Sequence, residues 1–386
     1  MSPRQVEAGR ARSGSRRLLG LLVVVGLVWS LAAARGESPA LVNPGGWPQV
    51  RAFLAAAVAP ETSPAFLRVV GEATLVTVAY AVLGTALALA LGVLGAFGAS
   101  ATFWRAGRRR GHRAGFALAR GALALPRGLH EAVWALLLVN LLGFDPLVAV
   151  LAIGLPYGAI TAKVYADLLD EAPRAPYEAM LAAGASRSQA LLYGLLPLAA
   201  GDLLSYAFYR LECAVRAAVV LGVIGAGGLG FELELSFSAL RYGEMWTVIA
   251  ALVVVCAAAD RAGAAVRARL GRRDRVVRLA VGVTLALTVW SWVYLAVRPA
   301  TLWSPRTLGQ LRYLLDVAWP PALDTASLAR LWTLGVQTFQ MSLLAAGLAF
   351  GAGLAAAVLA ARVPGAGAAR RALGWSVRGL LLLARA

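Results

Sequence analysis

Glu212 and Arg216 stand four residues apart inside an apolar stretch, a spacing that puts both on one face of a helix. Charges at such a depth are costly, and they mark either a solute pathway or an ion pair. Two readings follow. The two side chains lock a helix by pairing with each other, or Arg216 offers positive potential to an anion while Glu212 orients it. Glu131, with Trp134 three residues on, is a second candidate for lining a pathway, weighed against plain packing. Lys163, the single lysine, falls near the end of an apolar stretch and is expected to snorkel to the interface.

Gly225, Gly227, Gly228 and Gly230 spell Gly-Ala-Gly-Gly-Leu-Gly, which meets the letter of a dinucleotide-binding fingerprint. That chemistry needs a strand before it and an acidic residue about 20 positions later. An apolar span precedes the glycines and Phe-Glu-Leu-Glu-Leu follows, so a tight non-helical turn at a span end is expected instead. Other chemistries lack their parts. Lys163 lies between Ala162 and Val164, so there is no phosphate-binding Gly-Lys-Ser/Thr loop. His130-Glu131 is not followed by a second histidine, and no Gly-x-Ser-x-Gly elbow occurs. His112 and His130, with Cys213 and Cys256 in apolar runs, offer neither a metal cluster nor a disulfide framework. No cofactor is expected.

The elements that must hold these residues are membrane spans. Of 386 residues, 60% are hydrophobic and 15% charged, with a mean hydropathy of +0.72, which excludes a disordered chain and an ordinary soluble enzyme. The net charge of +18 comes from arginines in short loops between apolar blocks, a topology signal rather than a nucleic-acid stripe. The fold class expected is all-α and polytopic. Eight spans long enough for roughly 30 Å of hydrocarbon are placed near 18–34, 69–98, 116–142, 147–164, 199–224, 245–260, 279–297 and 334–361. A ninth starts near 373. The third is expected to be broken, because Pro126, Arg127, His130 and Glu131 interrupt it. With this count the clusters at Arg4–Arg17, Arg105–Arg113, Arg261–Arg278 and Arg362–Arg371 all fall on the cytoplasmic side, and so does the N-terminus.

An internal repeat organises the chain. A shift of 261 sets Val28-Trp29-Ser30 on Val289-Trp290-Ser291, and at 264 Gly71 and Thr74 meet Gly335 and Thr338. At 258, Arg120-Gly121 meets Arg378-Gly379. The counterpart of the first apolar stretch is thus an internal span, which favours a retained helix over a cleaved signal ending at Ala32-Ala33-Ala34. The expected division is a first repeat at 1–262, a basic linker at 263–278 and a shorter second repeat at 279–386. The second repeat is expected to be incomplete, leaving a longer product, a partner chain or a second copy to supply the rest.

Residues 177–197, YEAMLAAGASRSQALLYGLLP, resemble the EAA loop of permease subunits of binding-protein-dependent ABC importers. Glu178, Ala179, Gly184, Leu196 and Pro197 match at the family spacing, while Met180 and Gly194 depart from it. Small residues and a turn at Gly184 make a short helix that another protein can approach closely. The stretch 209–230, Pro320-Pro321 and the Pro126–Trp134 segment resemble phosphonate-type importer permeases, some of which fuse two repeats. The resemblance implies an inner-membrane permease, not an enzyme, that moves a small anion such as phosphonate or phosphite by alternating access. It implies a cytoplasmic ATP-binding dimer docking at the EAA loop, a periplasmic solute-binding protein, membrane lipid and a further permease half. It places Glu131, Glu212, Arg216 and the four glycines along the pathway. Another solute, methionine or a different oxyanion, and a secondary transporter stay open as alternatives.

Overall fold

The computed structural model describes residues 20, 23–33, 44–105, 111–269, 275–321, 323–361 and 367–385. Several arginines of the topology clusters (Arg4, Arg10, Arg12, Arg16, Arg17, Arg108, Arg109, Arg110, Arg272, Arg273 and Arg362) lie outside them, as does Ala34. Among the described residues the regular structure is entirely helical. Five helices are long and apolar enough to cross a membrane: α3 (Pro64–Ala99), α7 (Pro146–Glu171), α12 (Tyr242–Arg267), α13 (Arg275–Tyr294) and α15 (Thr325–Ala360). Two bent pairs qualify as broken spans. One joins α5 (Gly111–Gly128) to α6 (Glu131–Leu142) across an 85° bend. The other joins residues 187–226, which contain α10 (Leu196–Leu221), to α11 (Leu229–Ser238) across 54°. A shorter apolar helix, α1 (Val23–Ala33), falls inside the first expected span.

The third span therefore breaks as the polar interruption predicts. Pro126 sits in the last turn of α5, and His130 caps α6 by accepting from Ala132 N at 3.2 Å. Trp134 braces the bend: its indole nitrogen donates to the Pro126 carbonyl at 3.0 Å.

The chain forms two compact units, residues 52–315 and residues 1–51 with 316–385. In the larger, α3 and α7 form the main contact, and reciprocal glycines bring them together. A Cβ at Gly84 or Gly92 of α3 would meet Ile153 at 2.7 Å or Thr161 at 2.5 Å. A Cβ at Gly154 or Gly158 of α7 would meet Leu87 at 2.4 Å or Leu91 at 2.8 Å. In lipid, such close backbone approach supplies the packing that the hydrophobic effect cannot. Asp170 near the end of α7 then fixes the turn after α3. It accepts from Ser100 Oγ at 2.7 Å and from the Ala101 and Thr102 amides at 2.8 Å each. These two amides open α4 (Ala101–Arg105), where a carboxylate also meets the positive end of the helix. α10, α12 and α13 complete the unit against α3.

In the smaller unit, α1 and α15 meet at Gly26 and Gly347, where a Cβ would contact Leu343 at 2.7 Å and Leu27 at 2.6 Å. Each unit repeats one clasp. Arg120 of α5 donates from Nε to the Ala99 carbonyl at 3.1 Å, at the end of a 36-residue helix. Arg378 of α16 (Ala368–Arg385) donates from Nε to the Ala360 carbonyl at 3.2 Å, again at the end of a 36-residue helix. Both arginines satisfy carbonyls that a helix C-terminus leaves open.

The glycine interlock can be tested by volume. Gly154→Val should destabilise the protein by about 1–3 kcal/mol through overpacking. Adding Leu87→Ala should recover part of that loss. Thermal unfolding of the purified protein in detergent, compared across the two variants, reads the effect.

Candidate functional site

α8 (Ala175–Ala182) follows α7 and carries most of the EAA-like segment. Tyr177 is its anchor: it is 3% exposed, and its hydroxyl lies 3.4 Å from the Thr102 carbonyl. Burial raises the Tyr177 phenol above its usual range and keeps it neutral. Gly194 lies beneath the helix, where a Cβ would stand 3.3 Å from the Tyr177 backbone. The departure from a branched residue there thus lets α8 settle directly on the chain. Gly184 ends α8 at φ +88°, with its amide bonded to Leu181 O and the Ala185 amide to Met180 O, both at 3.0 Å. This paired arrangement needs a left-handed residue, and glycine adopts one without strain.

Ser186 and Gln189 then form a reciprocal cap that starts the next helix. From Arg187 the chain stays helical, through a wider turn at Leu191–Leu195, into α10. Glu178, Ala179, Ala182, Ala183 and Gly184 are exposed. Leu196 instead packs into the core beneath them, and Pro197 opens α10. Of the five matched residues, three therefore form a surface and two hold it.

Glu212 and Arg216 both reach across to α12. Arg267 Nη1 donates to Glu212 Oε1 at 2.6 Å, and the Glu212 side chain is 2% exposed. Gly263 makes room for this contact, since a Cβ there would stand 2.1 Å from Glu212 Oε1. Arg216 Nη2 approaches Asp260 at 3.5 Å, while its buried Nε has no hydrogen-bond partner among the described residues. Arg267, counted by sequence among the loop arginines, thus belongs to the last turn of α12 and serves a buried carboxylate. Lys163 does not simply snorkel. It pairs with Asp167, which also takes Arg120 Nη2 at 2.9 Å. Glu131 begins α6 with its side chain 14% exposed and His130 Nε2 at 3.6 Å.

The glycine segment forms the expected turn. Gly225, Gly227 and Gly228 have φ of +109°, +88° and +79°. The turn is bolted to α3: Thr77 Oγ1 accepts from the Leu229 amide and donates to Ala73 O, both at 2.9 Å. A Cβ at Gly228 would stand 2.5 Å from that hydroxyl, and one at Gly230 would stand 1.9 Å from Val219 O. Gly228 and Gly230 are therefore packing positions. Gly225 lines a cleft with Tyr80, Phe144, Asp145 and Ile224 at the opposite end of α10 from α8. Helices flank the segment on both sides, so the nucleotide fold has no counterpart here.

The sequence reading missed Arg210. Its guanidinium lies 4.9, 5.0 and 5.8 Å from the ring centres of Tyr157, Tyr206 and Tyr209. Its Nε donates to the Tyr206 hydroxyl at 2.8 Å. Tyr206 and Tyr209 precede it by four and one residues and could have signalled the site; Tyr157, on α7, could not. Among the described residues no group of three or more His, Cys, Asp or Glu could hold a metal ion.

A helical membrane protein with a short exposed helix, α8, beside its spans is the class this geometry defines. Residues 96–272 match the binding-protein-dependent transport system inner membrane component, and the chain belongs to that family. It is 28% identical over 327 residues to the phosphate-import permease protein PhnE of Mycolicibacterium smegmatis, across 82% of this chain and 59% of that protein. It is 33% identical over 184 residues to the phosphite transport system permease protein PtxC of Stutzerimonas stutzeri, across 48% of this chain and 65% of that protein. A protein of Escherichia coli strain K12 named for cryptic phosphonate transport, PhnE2, is 35% identical over 104 residues, 26% of this chain and 85% of that protein. The chain thus spans less than two thirds of the length of PhnE or PtxC.

The α10–α12 contact yields a second test. Gly263→Ala should push Glu212 off Arg267 and lower the unfolding temperature. Glu212→Gln should cost about 1–3 kcal/mol by removing the charge that half-exposed Arg267 faces. In a double-mutant cycle with Arg267→Gln, a coupling energy near zero would show that the pair is not energetically linked.

Proposed function

We propose that this chain is the membrane-spanning subunit of an ABC importer that carries a small phosphorus oxyanion. The observation that carries the proposal is the surface of α8: a short helix anchored at Tyr177 and capped at Gly184, presenting Glu178, Ala179, Ala182 and Ala183 outward. Small side chains let a separate ATPase approach the backbone closely, and Glu178 near the helix start suits the dipole. The substrate class rests on relatives named for phosphite, phosphate and phosphonate transport.

In this reading a periplasmic solute-binding protein delivers the anion, and two cytoplasmic ATP-binding subunits close on ATP. α8 passes that closure through the short Gly184 turn to the helix that runs into α10, and the path opens alternately to each side. The chain itself performs no bond chemistry. Its N-terminus is cytoplasmic, and it lies in the inner membrane. Glu131 and Arg216 set charge along the path, with Glu212 held beside it by Arg267, while Gly225, Gly227, Gly228 and Gly230 shape its outer mouth.

We also read the chain as two repeats, 1–262 and 279–386, joined by a basic linker at 263–278. The matching clasps of Arg120 on Ala99 and Arg378 on Ala360 support this, as do the equal lengths of α3 and α15. A further permease half then supplies a second coupling helix.

The test is ATP-dependent uptake of phosphite and methylphosphonate by the complete transport system in vesicles. Gly184→Val should strain the left-handed turn by about 1–2 kcal/mol, and Glu178→Lys should weaken the helix start by roughly 0.3–1 kcal/mol. Both variants should still insert in the membrane, yet hydrolyse ATP without proportionate uptake. Wild-type uptake by both would falsify the coupling role of α8.

A further inference from the structure

Arg210 sits about halfway along α10, and Tyr157 about halfway along α7, so both lie near the middle of their spans. An arginine at that depth is costly to insert, which sets the question of what offsets it. Four other cations of this bundle meet carboxylates: Arg216 meets Asp260, Arg267 meets Glu212, and Lys163 and Arg120 share Asp167. Among the described residues no carboxylate pairs with Arg210. Three tyrosine rings surround it instead, and ring faces stabilise a guanidinium without neutralising it.

The cage is also open on one side. Tyr157 is 9% exposed, Arg210 is half-buried and Tyr209 is 43% exposed. The guanidinium spends Nε and Nη2 on the single Tyr206 oxygen, while Nη1 has no hydrogen-bond partner among the described residues. Because that oxygen accepts from Arg210, the Tyr206 hydroxyl proton stays free to donate outward. A full positive charge, an unused N–H edge and an adjacent hydroxyl donor together suit a small tetrahedral oxyanion.

We propose that Arg210, held by Tyr157, Tyr206 and Tyr209, is the anion-binding residue at mid-membrane, and that it selects phosphorus oxyanions during passage. This rests on the transport reading above and moves the principal charge contact from Arg216, which Asp260 already offsets, to Arg210. The tyrosines keep the site positive when empty and release the anion readily, since none of them competes as a counter-ion.

Two measurements on the complete reconstituted transport system test it. The first is uptake of phosphite at concentrations below saturation. Arg210→Gln should lower it at least tenfold, and Arg210→Lys, which keeps charge but not the planar fork, should fall between Arg210→Gln and wild type. Co-purification of the ATPase with each variant verifies folding. The second is labelling of Arg210 by phenylglyoxal, read by mass spectrometry, with phosphite, methylphosphonate, phosphate or uncharged glycerol present. The three anions should protect Arg210 and glycerol should not. Uptake by folded Arg210→Gln within twofold of wild type, or no protection by any anion, overturns the proposal. If wild type takes up none of the three anions, the transport reading fails, and protection alone then decides the site: protection upholds an anion site at Arg210, and its absence removes it.

Discussion

The contact between α3 and α7 is the constraint on which the other elements depend. Glycines on each helix accept branched side chains from the other, so the two backbones approach along most of their shared length. Only in that geometry can Asp170 reach the amides at the end of α3, and Asp167 reach Arg120. The same seating presents Tyr157 and Tyr165 to α10, where the Tyr165 hydroxyl donates to the Leu203 carbonyl at 3.0 Å. Widening the interface by one methyl would therefore disturb contacts on two other helices as well as its own.

Several charges in the membrane bundle follow one rule. Carboxylates and cations meet between neighbouring helices, which ties α10 to α12 and α5 to α7 while limiting the desolvation each ion suffers. Arg210 departs from the rule, with aromatic faces in place of a counter-ion. The bundle thus separates charges that hold helices together from a charge left available to something else.

Much of this architecture was legible in the sequence. Apolar blocks placed the spans, and the expected 147–164 lies wholly inside Pro146–Glu171. The helix runs further because Asp167 and Asp170 find partners that hydropathy does not register. The break near Pro126, the turn at Gly225–Gly230 and the exposed α8 were also readable, because each depends on local backbone chemistry. The charge partners were not. Glu212 and Arg216 share a helix face at four-residue spacing, yet each reaches α12, at Arg267 and Asp260. Arg210 was hidden for the same reason, since one wall of its cage lies on α7. Pairing across helices is set by packing, and one-dimensional spacing does not contain it.

The helical run from Arg187 to Ile224 has a mechanical consequence. Thirty-eight helical residues make a rod about 57 Å long, and just past the kink at its far end Thr77 of α3 holds the Leu229 amide. Such a rod converts angle into distance. A tilt of about 10° around the bolted end would carry the α8 end through about 10 Å, whereas residues near Glu212 and Arg216 would travel only a fraction of that. Leverage of this kind allows a large stroke at one face of the membrane to arrive at its centre as a fine adjustment.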